Sequence, residues 1–315
     1  MTPDHPGLPT PRPPHLRGEP LVIAFGGNAL DPDPSRPEGQ EERAAALAAG
    51  LAPILAAYQG AVLVHGNGPQ VGTALLRAEA TGDQLSVVPL DVLVAETQGS
   101  IGYLLARALR NSSPRLEVVT LLTQVVVDRE DPGFRNPSKP VGPYYPDRKP
   151  GWEMVRIAGR GWRRVVPSPR PREVVELAAI LRAVGRGRVV IAGGGGGVPV
   201  VRAGERLEGI EAVIDKDRTA SLLARALRAG AFVILMDQPH VARSFGTPDE
   251  EPIRSMPVAA AREMLDSEEL PPGSMGPKVE AAADYVEEVG QPALITDIDH
   301  LETAMAGRAG TLIEP

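Results

Sequence analysis

Cysteine is absent from this chain, so it has no disulfide framework, no thiol nucleophile and no thiolate metal site. Histidine is scarce, at five residues, and two of them, His5 and His15, lie in a proline-rich start. That leaves little material for a histidine metal cluster or a Ser-His-Asp triad. A basic surplus is also missing. The net charge of -7 and pI near 5.4 argue against affinity built on neutralising nucleic-acid phosphates or anionic lipid. No apolar run is long enough for a membrane span: the uncharged stretch from Ala44 to Val64 is mostly alanine, broken by Gly50, Pro53 and Gln59-Gly60, and reads as a helix followed by a strand. Residues 1–20 carry seven prolines and no apolar core, which predicts an extended or disordered arm rather than a signal peptide.

Lysine is the most informative scarcity. Only four of the 33 basic residues are lysine: Lys139, Lys149, Lys216 and Lys278. A compact ammonium and a planar guanidinium are not interchangeable, so lysines kept in an arginine-rich chain draw attention to their sites. Three of them fall in Gly/Pro/Asp-rich segments, whereas Lys149, in DRKPGW, reads as surface.

What is present is alternation. Short β-rich apolar runs (LVIAF, AVLV, LEVVTLL, RVVIA, AFVILM, PALI) are separated by helical patterns at Glu38 to Tyr58, Pro69 to Ala80, Val92 to Leu109, Pro171 to Val184, Asp217 to Ala229, Val258 to Leu265 and Pro277 to Val289. This is the pattern of βαβ units and a mostly parallel sheet covered on both faces. Pro69, Pro171 and Pro277 stand where a first helical turn tolerates a missing N–H. From Asp128 to about Arg164 the alternation stops in a stretch rich in Pro, Gly, Arg and aromatics, too long for a connector. It predicts a small subdomain or lid inserted in the domain that otherwise runs from residue 21 to 315.

Four glycine-rich turns leave strands or open helices. Gly26 and Gly27 follow the first strand; Gly66 and Gly68 follow the second, with Pro69 opening a helix; Gly193 to Gly197 follow RVVIA; Gly273, Ser274 and Gly276 precede Lys278. Such turns present backbone N–H groups to anions. The spacing fits neither a P-loop nor the GxGxxG dinucleotide fingerprint. The five-glycine run predicts a backbone lying flat against a ligand, and His65 reads as packed rather than as a base. Together, the loops and the scarce lysines point to nucleotide phosphoryl transfer, where catalysis is positioning and charge neutralisation.

GGNAL, HGNGPQVG, AETQGSIGY, TQVVVDREDPGFRNPSKPVGPYY, GRGWRRVVPSPRP, GGGGGVPVV, GIEAVIDKD and GSMGPKVEAA run in an order that resembles the carbamate kinases of the amino-acid-kinase superfamily, from Leu21 to Ile313. Related kinases commonly carry a lysine in the first strand, which here is LVIAFGG. The resemblance implies an open αβα sandwich, a mostly parallel central sheet and a protruding subdomain, in a cytoplasmic homodimer. It implies reversible phosphoryl transfer between ATP and carbamate, run toward ATP in arginine or purine breakdown. Mg²⁺ would ride on the nucleotide phosphates, with no protein side chain as metal ligand. In that likeness Lys139 reaches from the subdomain in place of the first-strand lysine, Lys216 and Lys278 bracket the phosphoryl group, and Asp217 orients the lysines. Gly26, Gly27, Asn28, Asp237, Ser274, Met275 and Gly276 would serve the nucleotide and its phosphates, and Gly66, Asn67 and Gly68 the carbamate. The likeness weakens at MDQPHVARSFGTP, beside the expected base site. There Met236, Pro239 and Ala242 replace the usual Thr, acidic residue and Tyr, while Asp237, Phe245 and Gly246 are kept. Two alternatives stay open: another small-carboxylate kinase, or a nucleotide-binding regulator without turnover.

Overall fold

The computed structural model describes residues 19–30, 39–157, 159–244, 247, 249–267, 269–270 and 275–315. The expected arm, apart from its last two residues, lies outside that set, as do Phe245, Gly246, Gly273 and Ser274. Eight strands form the central sheet: β1 (Leu21–Phe25), β2 (Ala61–His65), β3 (Val118–Thr120), β4 (Val189–Ile191), β5 (Ala231–Leu235), β6 (Ser255–Pro257), β7 (Ala293–Thr296) and β8 (Thr311–Glu314). Their spatial order is β6-β8-β7-β5-β1-β2-β4-β3, and every neighbouring pair is parallel except β7 with β8. The chain leaves β1 toward β2 on one side and fills β5 on the other. That reversal opens a crevice at the carboxyl ends of the central strands, where open α/β sheets bind ligands.

The central strands are apolar throughout because both faces are covered. Val22, Ala24, Val62, Val64, Phe232 and Ile234 point to one face. There they meet α4 (Leu177–Val184), α5 (Lys216–Leu227), α6 (Val258–Asp266) and α7 (Gly276–Val289). Leu21, Ile23, Phe25, Leu63, Val233 and Leu235 point to the other, against α1 (Gln40–Leu55), α3 (Leu90–Ser112) and α8 (Leu301–Met305). The period of two along each strand sorts the residues into these two cores. Leu105 on α3 is fully buried, and truncating such a leucine to alanine costs about 2–5 kcal/mol.

The sequence expectation fails at Pro171. Residues Pro171–Val174 form a strand paired antiparallel with Gln124–Val127, and helix α4 begins only at Leu177. Val174 is buried beside Val125, so sheet pairing overrides the helical pattern read from the run as a whole. Val198–Ala203 and Arg206–Gly209 complete this second, four-stranded sheet. Between the paired strands at 124–127 and 171–174 the chain makes a three-stranded antiparallel sheet of Lys139–Tyr145, Gly161–Val166 and Met154–Ile157. It rests on α2 (Gly68–Ala80), where Gly142 comes so close to Gly72 that no side chain would fit. Val141 and Val166 share a small core with Val71 and Leu75 of α2 and with Leu93 and Val94 of α3.

Candidate active site

The carboxyl end of β1 runs into a short turn, Gly27–Ala29, in which Ala29 and Leu30 donate to Gly26 and Gly27 carbonyls. The first amides of such a turn have no partner within it. The end of β2 is tied to the same place, since Gly66 N–H donates to Phe25 O at 2.8 Å. A side chain at Gly66 would lie 2.6 Å from Gly27 N and 3.2 Å from Lys216 Cδ, so only glycine lets the two turns and this lysine share the space. Beyond Gly66, Pro69 stands in the first turn of α2, where its missing N–H costs nothing.

Helix α5 supplies the charges. Lys216 opens it, and its Nζ donates to both Asp217 carboxylate oxygens at 3.0 Å. Lys278, in the first turn of α7, donates to Asp217 Oδ2 at 3.0 Å. Lys139, at the start of the inserted sheet, donates to Asp215 Oδ2 at 2.6 Å, while Asp215 Oδ1 caps α5 by accepting from Asp217 N–H at 2.8 Å. Three ammonium groups and two carboxylates therefore interlock, with one positive charge in surplus. Asp217 is 1% exposed and Lys216 7%. Such burial is costly for ions unless each is paired.

The electrostatics follow from that packing. Burial, reinforced by Lys278 and Lys139, outweighs the pull of Asp217 and Asp215 and lowers the pKa of Lys216 to about 8. For Lys278 burial again opposes the charge, but Asp217, Asp215 and Asp237 prevail and raise its pKa. Burial works against ionisation of both aspartates. Lys216 and Lys278 nevertheless hold Asp217 below the usual carboxylate range, and Lys139, Lys216 and Lys278 do the same for Asp215. A third carboxylate braces the helices that carry the cluster: Glu280 of α7 accepts from Arg218 of α5 at 2.8 Å and from Arg170, beside the stem of the inserted sheet, at 2.5 Å.

Lys139, Lys216, Asp217 and Lys278 are thus brought together, with Gly26, Gly27, Gly66 and Gly68 around them. Lys149 lies apart, over the Tyr145 ring at 5.3 Å. Asn67 is 2% exposed, and its amide donates to Thr97 Oγ1 at 2.9 Å. Met275 is buried at the head of α7, while open space surrounds the position a side chain would take at Gly276. Asp237 is exposed just past β5.

The five-glycine run does not face a ligand as the sequence suggests. Gly194 packs on the His65 ring and Gly195 on the Asn67 amide, each too close for a Cβ, and Gly195, Gly196 and Gly197 have positive φ. Thr219 Oγ1 and Thr123 Oγ1 secure the run at Gly196 O and Gly193 N. Its glycines let the protein's own side chains approach. His65 is consequently buried, and its pKa falls to about 4, which leaves the ring neutral.

Two residues escaped the sequence reading. Arg163 is 8% exposed and has no carboxylate partner among the described residues; its Nε donates to Gly142 O at 2.9 Å, and its Nη2 lies 3.6 Å from where a side chain on Gly68 would begin. Its guanidinium also stacks on Tyr144 at 5.1 Å. Asp215 is the other. Neither arginine scarcity nor a glycine turn marks them, although both stand inside the motifs GRGWRR and VIDKD.

Among the described residues no three His, Cys, Asp or Glu side chains could hold a metal ion together, and no helix is long and apolar enough to cross a membrane.

The fold and this lysine-lined crevice define a kinase of the amino acid kinase family, and the chain belongs to that family, whose profile matches residues 19–297. Within it, similar proteins include carbamate kinases. The carbamate kinase of Pyrococcus furiosus is 41% identical over 313 residues, covering 95% of this chain and 100% of that protein. A solved carbamate kinase from Giardia lamblia bound to citric acid superposes with a TM-score of 0.88 at 35% identity, covering 94% of this chain and 98% of that one. The same organism's enzyme bound to AMP-PNP gives 0.84 at 36% identity, again over 94% and 98%.

Proposed function

We propose that the chain is a carbamate kinase, catalysing ATP + carbamate = ADP + carbamoyl phosphate. The observation that carries this reading is the cluster of Lys139, Lys216 and Lys278 on Asp215 and Asp217. In the ATP-forming direction a β-phosphate oxygen of ADP bonds to phosphorus as the carbamate oxygen–phosphorus bond breaks, and carbamate leaves as an anion. No proton has to move, so the neutral, buried His65 is no obstacle. The barrier lies in bringing anions together. Lys216 and Lys278 would flank the transferred group, Asp217 holding both in place, while Lys139 and the inserted sheet close over it.

The turns at Gly26, Gly27 and Asn28 and the head of α7 at Met275 and Gly276 would take the nucleotide phosphates through backbone N–H groups, and Ser274, outside the described residues, is assigned to them by resemblance alone. Gly66, Asn67 and Gly68 would take carbamate through the backbone, with Arg163 adjacent. Asp237 would border the nucleotide. Mg²⁺, riding on the nucleotide phosphates and water, would neutralise nucleotide oxygens. The same reading carries a cytoplasmic homodimer working in arginine or purine breakdown, which rests on kinship alone.

The test is ATP formation from ADP, Mg²⁺ and carbamoyl phosphate, corrected for spontaneous breakdown and run beside acetyl phosphate. ATP from carbamoyl phosphate well above background is expected. ATP only from another acyl phosphate would move the acceptor to a different carboxylate, and nucleotide binding without turnover would favour a regulator.

A further inference from the structure

We propose that Asp215 is a positioning residue for phosphoryl transfer: its carboxylate clips Lys139, and with it the inserted sheet, to the amino-terminal turn of α5. This deepens the kinase reading and rests on it.

The choice of residue is the first argument. Capping α5 uses one oxygen, Oδ1, on Asp217 N–H, a task that Ser, Thr or Asn performs as well. An anion here has a cost. It stands two residues from Asp217, which it disfavours in the charged form, in a site built to receive phosphates. What requires the carboxylate is its second oxygen, which accepts from Lys139 Nζ at 2.6 Å in a part-buried pair. Lys139 Nζ keeps two further protons for an incoming anion.

The second argument is topological. Lys216 and Lys278 sit on helices of the main domain and are fixed by Asp217. Lys139 arrives from another sheet, whose remaining support comes from α2 through Gly142 and through Arg164, paired with Glu79 at 2.8 Å, from the core that Val141 and Val166 share with α2, α3 and Val213, and from Val213 N–H, which donates to Pro167 O at 2.9 Å. Those contacts seat the sheet on α2, α3 and the segment ahead of α5 through apolar packing and a backbone hydrogen bond, but none of them holds the Lys139 ammonium at the first turn of α5. The Asp215–Lys139 pair is the direct ion pair that joins the inserted sheet to the lysine-bearing helix end among the described residues.

Asp215→Asn keeps a cap acceptor and removes the charged clip. Its kcat for ATP formation should fall about 10- to 100-fold, the scale of one charged hydrogen bond. The basic limb of its pH profile should also move to lower pH, because Asp215 and Asp217 together keep the proton on Lys216 against burial, Lys278 and Lys139. If Asp215 acts through Lys139, the double variant Lys139→Ala/Asp215→Asn should be as slow as Lys139→Ala alone, within about threefold. Losses that multiply, or a wild-type rate in Asp215→Asn, would overturn the proposal. Amide hydrogen exchange gives a readout without turnover. Both single variants should speed exchange around residues 137–141 while leaving α5 unchanged, and no change there refutes the clip. Variants that show this response beside a wild-type protein that makes no ATP from carbamoyl phosphate would remove the carbamate kinase reading and leave the clip standing.

Discussion

The two ends of the candidate site are built on opposite plans. At the amino-terminal turn of α5, every charge has a partner within 3.0 Å and Asp217 is shut off from water. Past β5, where the nucleotide base is expected, Asp237 is exposed. The contrast follows from what each end has to do. Developing charge on a phosphoryl group is stabilised only by dipoles and ions already in place, so a shift there is felt in the rate. A base pocket contributes binding, which many surfaces supply, and changes there are felt in KM.

Breaking the fixed end should have the largest effect. Lys278→Ala removes one of two ammonium groups held on Asp217, and kcat should fall about 10²- to 10³-fold in the ATP-forming assay. Next comes pH. Lys216 has its pKa lowered to about 8, so its ammonium form is complete below that value and lost as pH rises through it. The rate should therefore drop roughly tenfold per pH unit above about 8, and a profile flat to pH 9.5 would argue against a charged Lys216. Loosening the brace with Glu280→Gln weakens the hold of Arg218 and Arg170 without touching the lysines. An effect of about tenfold or less on kcat should appear in steady-state kinetics. The smallest change is expected at the exposed end: Asp237→Asn should raise KM for ADP about two- to fivefold with kcat nearly constant. A larger loss there than at Lys278 would invert the comparison.

Much of this division was legible in the sequence, for reasons that differ along the chain. LVIAF, AVLV and AFVILM are buried on both faces, so their composition announces them, and they emerge as β1, β2 and β5 within a residue or two. Lysine scarcity singled out Lys139, Lys216 and Lys278, the three lysines that pair with Asp215 and Asp217. Pro171–Val174 was misread since its pairing partner lies 44 to 49 residues earlier, at Val125 to Val127, and local pattern carries no such information. The three-stranded inserted sheet was hidden likewise: its strands are half-exposed and rich in Arg and aromatics, whose side chains stack on one another, as Arg164 does on Trp152 at 4.7 Å. The glycine run misled in a different way. Glycines needed for close approach look alike in sequence whether the visitor is a phosphate or, as at Gly194, the protein's own histidine ring. Asp215 and Arg163 were invisible as site residues because their importance lies in which neighbour each faces, not in residue type.

The most direct measurement sets wild type beside Lys216→Ala, both confirmed folded by their melting curves, in ATP formation from ADP and carbamoyl phosphate at pH 7.0. At that pH, about one unit below its pKa, Lys216 is mostly charged. Wild type should turn over well above the spontaneous background and the variant should lose about 10²-fold or more. A variant that keeps the full rate would contradict the account of a paired three-lysine cluster as the machinery of transfer.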